Sequence, residues 1–407
     1  MKEVACSPVN PSKRYVILDA LRGFALIGIC LANYPEFSLY TFQPDEVAAS
    51  MPTAGADRVV RFLLNMFVDG KFYTIFSLLF GIGFSIIISH AERSGGNGVL
   101  LFYRRMTMLL LIGFIHLMFI WSGDILILYA LMGMLLPLFS SMSDRRLLSW
   151  AAVMLVLPVF VDAATGLAGV SLSAPAVRAQ WHYCREYGIT EENFGYWLRD
   201  ADSYAEVFQF LVQGTLVRVQ EFVDGNRYFK VLGLFMIGYY IGRRRMYADL
   251  AAHKALLRRI TITGFASGVP LSVLYAVDAA CGRPFGVTVH SVLYLISVYP
   301  MGFAYVSSLC LLYLKSQESG IWRVMAAPGR MALSNYLGQS VAGMLIFYGI
   351  GLGLGAGLGL WQTEAIALCV LLFQALFRRL WLWRCRFGLI EWLWRMANYG
   401  KLIRLLK

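Results

Sequence analysis

The stretch HLMFIWSGDILILYALMG, residues 116–133, places His116 and Asp124 within runs of Leu, Ile, Met and Phe. Ionisable groups at membrane depth cost free energy, so such a pair marks a functional site by default. A carboxylate beside an imidazole orients the ring and supports its protonated form, as general acid–base catalysis requires. The same residues also fit a plainer arrangement. WSGD has room only for a tight hairpin, so Asp124 is placed to N-cap the helix that follows. His116 would then be a hydrogen-bonded core residue about one and a half turns below, with Tyr129 at similar depth across the hairpin. At this level both readings stand.

Three other stretches carry polar groups in apolar surroundings. In YVILDALRGFALIGICLANY, Asp19 and Arg22 are three apart and share a helix face, where they can pair. The plain reading is an Arg snorkelling to the headgroups with Asp19 as partner. Asn33 lies roughly 16 Å further along the same helix. In APGRMALSNYLGQS, residues 327–340, the residues Ser334, Asn335, Tyr336 and Gln339 make a polar stripe. Such a stripe serves either as interhelical glue or as cavity lining. In the tail, RFGLIEWLWR reads as an amphipathic surface segment with Glu391 and Arg395 one turn apart.

The elements that position these groups are membrane helices. Of 407 residues 58% are hydrophobic and only 15% charged, well outside the soluble range. Apolar runs of spanning length fall at roughly 16–34, 72–90, 101–121, 124–142, 147–167, 228–246, 258–278, 287–314, 331–351 and 362–381. An all-α, polytopic fold of about ten spans follows.

The net charge of +12 is distributed by topology. Lys13, Arg14, Arg93, Arg104, Arg105, Arg145, Arg146, the cluster 243–259 and the tail put basic residues on one side. The stretches 35–71 and 168–204 carry five acids against three bases each. This is the positive-inside pattern with both termini inside. The basic balance thus implies attraction to anionic headgroups of the bilayer and no nucleic-acid partner.

Asp19 and Arg22 interrupt the first apolar run and no small-residue cleavage site follows, against a cleaved signal. The seven cysteines show no metal-ligand spacing, so no metal is expected. Cys184 and Cys281 both fall on the predicted outer side and could form a disulfide. The run GIGLGLGAGLGL, 349–360, reads as a glycine-rich outer turn or close helix crossing. Residues 53–70 read as an interfacial or re-entrant helix, and 175–224 as short amphipathic helices over the outer face, an ordinary cap or a lid. The organisation expected is a membrane half over 1–167, an extracytoplasmic cap over 168–227 and a second membrane half over 228–407.

Five stretches together carry a resemblance: LDALRGFALIGICLAN, KFYTIFSLLFGIGFSI, RRMTMLLLIGFIHLMFIWSGDILILYALMG, GRMALSNYLGQS and FGLIEWLWR. In order and spacing they resemble the YeiB-like family of bacterial inner-membrane proteins, from about residue 13 to 398, the C-terminal half resembling a domain of unknown function. Leu389 stands where that family usually has Pro. The first span is in turn similar to two groups of transmembrane acyltransferases. The acyltransferase-3 group carries Arg, ten residues, then His; here Arg22 is followed at that spacing by Asn33. The heparan-glucosaminide N-acetyltransferase group has an Asn at this spacing and its catalytic His in the next outer loop. Here that loop, 34–71, holds no histidine.

The resemblance implies an acyltransferase whose base comes from elsewhere. His90 and His253 fall inside, His182 in the outer cap, and His290 at the outer start of the eighth span. His116 is within a span beside a carboxylate. On this reading an acyl group, acetyl by analogy, passes from acyl-coenzyme A at the inner face to a hydroxyl or amine acceptor, a cell-envelope glycan or small metabolite. His116 is the base, Asp124 orients it and Asn33 donates to the oxyanion. Arg22, Arg104 and Arg105 hold the donor's phosphates. Asp19, Lys71, Tyr129, Asn335, Tyr336 and Gln339 complete the substrate- and donor-binding set. The same polar groups suit a transporter or flippase relay, although no inverted repeat is visible. A non-catalytic scaffold is the third option, with the aromatic cap as its contact surface and self-association left open.

Overall fold

A computed structural model describes residues 15–399, 402 and 404–406. Lys13, Arg14, Lys401 and Lys407, part of the expected inner charge, lie outside the described residues. Among those described, the regular structure is helical, with one isolated bridge between Cys385 and Leu406 and no strand.

The first element, α1 (Val16–Phe37), holds the Asp19–Arg22 pair. Short α2 (Asp45–Ser50) and amphipathic α3 (Ala54–Phe67) lead to α4 (Lys71–Arg93) through Gly70, whose φ of 71° is open to glycine. Asp57 in α3 is buried and accepts from Thr53 at 2.7 Å and from the Trp361 amide at 3.0 Å. The expected interfacial helix is thereby tied to the far end of the chain.

The hairpin partners are α5 (Gly98–Phe119) and α6 (Leu126–Leu135), the second closing in a 3₁₀ turn at Pro137. Next come α7 (Asp144–Ala168), α8 (Ala174–Tyr187), α9 (Trp197–Asp200) and α10 (Tyr204–Asp224). The cap formed by α8 to α10 includes one long helix, started by a capping box of Ser203 and Glu206. It is fixed to the membrane helices by Tyr204 Oη donating to the Phe119 carbonyl at 2.6 Å and Gly349 N to Leu198 O at 2.8 Å.

The remaining helices are α11 (Arg227–Arg243), α12 (Lys254–Ala280), α13 (Gly286–Lys315), α14 (Gly320–Gly329), α15 (Ala332–Phe347), α16 (Leu360–Arg384) and α17 (Leu389–Tyr399). α4 and α11 cross backbone to backbone. A Cβ on Gly81 would lie 2.1 Å from Phe235 O, and one on Gly238 2.1 Å from Leu78 O.

Seven helical stretches among the described residues are long and apolar enough to cross a membrane, marking a multi-pass membrane protein: α1, Ala54–Arg93, α5, α7, α12, α13 and Leu360–Arg378. The other three expected spans are shorter. Leu126–Phe139 is cut at one end by the Asp124 cap and at the other by Pro137; α11 has 17 residues and α15 has 16. α15 ends because the glycine run folds back on it. Leu352 N reaches Leu345 O at 2.9 Å and Gly355 N reaches Phe347 O at 2.8 Å. A Cβ on Gly351 would sit 2.0 Å from Leu345 O, so only glycine permits that return. The disulfide that Cys184 and Cys281 could form is not made: both are free, Cys184 buried inside the cap between α8 and α10 and Cys281 exposed in the α12–α13 turn.

Candidate functional site

A cavity of about 930 Å³ follows α1 from Tyr15, Asp19 and Arg22 at one end to Asn33 and Glu36 at the other. Asp19 to Glu36 spans about 25 Å of helix. At the first end, called here the tail end, Arg105, Arg330, Glu391, Trp394 and Arg395 join the wall. Leu26, Phe72, Phe76, Phe80 and Met106 line an apolar waist. At the other, the cap end, Arg218, Glu221, Arg227, Lys230, Tyr275 and His290 face the space.

At the tail end Arg22 donates to Asp19 at 2.7 Å, as the i,i+3 spacing requires. The Arg105 guanidinium lies 4.6 Å from the Trp394 ring centroid, a cation–π contact. Arg104 is exposed beside it. α17 is docked here by Glu391, which accepts from Ser334 N at 2.9 Å and also from Ser334 Oγ. The carboxylate thus satisfies a free amide in the first turn of α15 from another helix. Arg395, one turn beyond Glu391, stacks 4.6 Å from Phe387.

His116 and Asp124 are together, and Asp124 serves both as a helix cap and as the partner of the ring. Its Oδ1 accepts the Ile127 amide at 2.8 Å, capping α6, while Oδ2 lies 2.8 Å from His116 Nδ1. His116 Nε2 is 2.9 Å from Ser340 Oγ, and Ser340 Oγ can also donate to Tyr336 O at 3.3 Å. This chain satisfies either protonation state. A neutral imidazole accepts from the serine, whereas an imidazolium donates to it and the serine turns to the carbonyl. His116 is 0% exposed and Asp124 1%. The cavity wall in front of them is Gly123, Ile125 and Tyr336, whose ring centroid is 5.2 Å from that of His116.

The remaining expected site residues divide. Asn33, Tyr129 and Tyr336 line the cavity; Tyr129 Oη is bonded to Ser77 Oγ at 2.7 Å. Gln339 points to α16, whereas the Asn335 side chain donates to Pro328 O of α14 at 3.1 Å and offers only its backbone carbonyl to α16. Gln374 donates to Asn335 O at 3.0 Å, and Gln339 donates to Gln374 Oε1 at 3.3 Å. The polar stripe is therefore lining at Tyr336 and glue on either side of it. Lys71 is buried at the cap end, donating to Asn65 O at 2.7 Å with its ammonium 4.9 Å from the Tyr275 ring.

Residue reasoning passed over Arg218 and the pair His290–Asp278. Arg218, in α10, donates to Ser122 O of the WSGD hairpin at 2.9 Å, pairs with Glu221 and lies 3.6 Å from Glu36. His290 Nδ1 is 2.8 Å from Asp278 Oδ2. One signal was available: like His116 and Asp124, these two flank a turn between antiparallel helices. No group of three or more metal-ligating side chains is found among the described residues.

Comparison with known proteins extends over nearly the whole chain. Residues 241–401 match the family described as "Protein of unknown function (DUF418)". The uncharacterized protein YxaH of Bacillus subtilis (strain 168) is 30% identical, with 96% of each chain covered. An uncharacterized 39.9 kDa protein in the amylase 3′ region of Bacillus acidopullulyticus is 28% identical over 97% of this chain and 96% of its own. The uncharacterized protein YeiB of Escherichia coli (strain K12) is 26% identical over 95% of this chain and 96% of its own. No solved structure matches the chain. Near-complete coverage, with the DUF418 match over the C-terminal helices, shows that the chain belongs to the YeiB-like family of membrane proteins.

Proposed function

We propose that this protein is a transmembrane acyltransferase of the bacterial cytoplasmic membrane, passing an acyl group from a cytoplasmic thioester to a hydroxyl or amine acceptor of the cell envelope. The observation that carries the reading is the cavity itself, basic at the tail end, apolar at the waist and polar at the cap end. In the proposed orientation α6, α11 and α15 complete ten crossings, both termini are cytoplasmic, and the tail end faces inward with the 243–259 basic cluster.

Acyl-coenzyme A fits this polarity. Its phosphates would meet Arg22, Arg105 and Arg330, with Arg104 on the approach, as charge-assisted contacts suit. Asp19 holds Arg22 in place. The donor's extended arm would occupy the waist, bringing the thioester toward Tyr129, Tyr336 and Asn33. There the Asn33 amide would donate to the oxyanion. Asp124, His116 and Ser340 stand behind the wall. In this reading they hold Tyr336 and the WSGD hairpin in position, and His116 becomes a base only if the hairpin opens at Gly123. Asn335 fixes α15 to the end of α14, Gln339 fixes it on α16, and Lys71 supports Tyr275.

The test is transfer from radiolabelled acetyl-coenzyme A to envelope material by the full chain in vesicles, with thioester binding measured separately. Arg22→Ala should weaken binding about tenfold or more, as loss of a charge-assisted contact does. A wild-type protein that neither binds nor turns over the thioester removes the reading. A cavity lined from one end to the other also suits a transporter or flippase; solute or lipid flux in vesicles without any thioester would support that alternative.

A further inference from the structure

Of the pairs His116–Asp124 and His290–Asp278, the first is sealed and the second borders the cavity. The side chain of His290 is 13% exposed and that of Asp278 is 1%. Asp278 Oδ2 takes Nδ1 of the ring at 2.8 Å, while its Oδ1 has no hydrogen-bond partner among the described residues. His290 is therefore the group that answers this buried carboxylate. With Nδ1–H committed to Asp278, the lone pair is on Nε2, in a ring that forms part of the cavity wall. The ring is held on its face by Tyr275, centroids 4.9 Å apart, and Tyr275 donates its hydroxyl to Asp69. Arg283, from the α12–α13 turn, and Lys230, on α11, bring positive charge to the same end. His116, by contrast, has both ring nitrogens engaged behind the wall.

We infer that His290, oriented by Asp278, is the base that takes the acceptor's proton at the cap end of the cavity. The inference rests on the acyl-transfer reading and deepens it. As the acceptor oxygen or nitrogen bonds to the thioester carbonyl carbon, its proton passes to His290 Nε2. The tetrahedral adduct then collapses, the C–S bond breaks, and coenzyme A leaves as thiolate. The proton is released from His290 to that thiolate or to water, which resets the ring. The catalytic contact belongs to His290; Asp278 is a positioning residue that fixes the tautomer.

The experiment uses the full chain in vesicles with radiolabelled acetyl-coenzyme A and envelope material. His290→Gln should lower transfer about 100-fold or more, the usual contribution of a general base, with thioester binding unchanged. Wild-type transfer should fall as pH drops and the imidazole becomes protonated, and the residual activity of His290→Gln should lack that limb. Asp278→Asn should keep the ring but lower the rate about tenfold or more. Diethyl pyrocarbonate should modify His290 in the folded protein and leave His116 unreacted. Wild-type rates in His290→Gln, or a His290 that the reagent cannot reach, overturn the inference while leaving the acyl-transfer reading in place. Failure of the wild-type protein to bind or turn over the thioester overturns both.

Discussion

Asp124 divides its carboxylate between two duties, one oxygen 2.8 Å from the Ile127 amide and the other 2.8 Å from His116 Nδ1. Removing the side chain therefore costs the helix cap, about 1 kcal/mol, and strips a fully buried imidazole of its partner. Asp124→Ala should destabilise the protein by about 2–4 kcal/mol, the lost cap plus about 1–3 kcal/mol for an unsatisfied buried ring nitrogen. Asp124→Asn keeps an acceptor for the cap and should cost less. Unfolding in detergent compares the two; equal losses would mean that the cap contributes nothing and the contact with His116 carries the effect.

Glu391 ties the tail to the start of α15 through both donors of Ser334. Hydrogen bonds to a charged acceptor contribute about 1.5–3 kcal/mol, roughly a tenfold change or more in local opening. Glu391→Ala should raise amide exchange over residues 389–399 at least about tenfold, while Ser334→Ala, which keeps the amide donor, should raise it less. Unchanged exchange in Glu391→Ala would show that the other contacts of the tail, among them Arg105 on Trp394 and the Ile390 amide on Ser334, hold it without the carboxylate.

Cys184 is buried inside the cap, on the face of α8 that meets α10, and burial pushes its thiol up to about 11. Only the thiolate reacts, so at neutral pH the residue is nearly all unreactive thiol, and reactivity should rise only as pH approaches that value. A membrane-impermeant maleimide should label exposed Cys281 at pH 7 and reach Cys184 only after denaturation. Mass spectrometry of labelled peptides reads both sites. Early labelling of Cys184 would mean that α8 opens away from α10.

What the residues determined by themselves was local. Asp19 and Arg22 pair because three positions on a helix share a face, and Asp124 caps because a four-residue hairpin leaves amides open just beyond it. The apolar runs placed ten helices, since twenty apolar residues have few other stable states in lipid. Their lengths were overestimated where hydropathy ran through a structural stop, at Pro137 and at the fold-back of Gly351 onto α15.

Tertiary packing decided the rest. Ser340 meets His116 across 224 positions of sequence, and the polar stripe is divided because Asn335 bonds to Pro328 and Gln339 to Gln374. Hydropathy cannot say which face of a wholly apolar helix meets which neighbour, so it could not tell a wall residue from one behind it. That distinction left His116 sealed behind Tyr336 and set His290, which had looked like the plain start of a span, on the cavity with a carboxylate of its own.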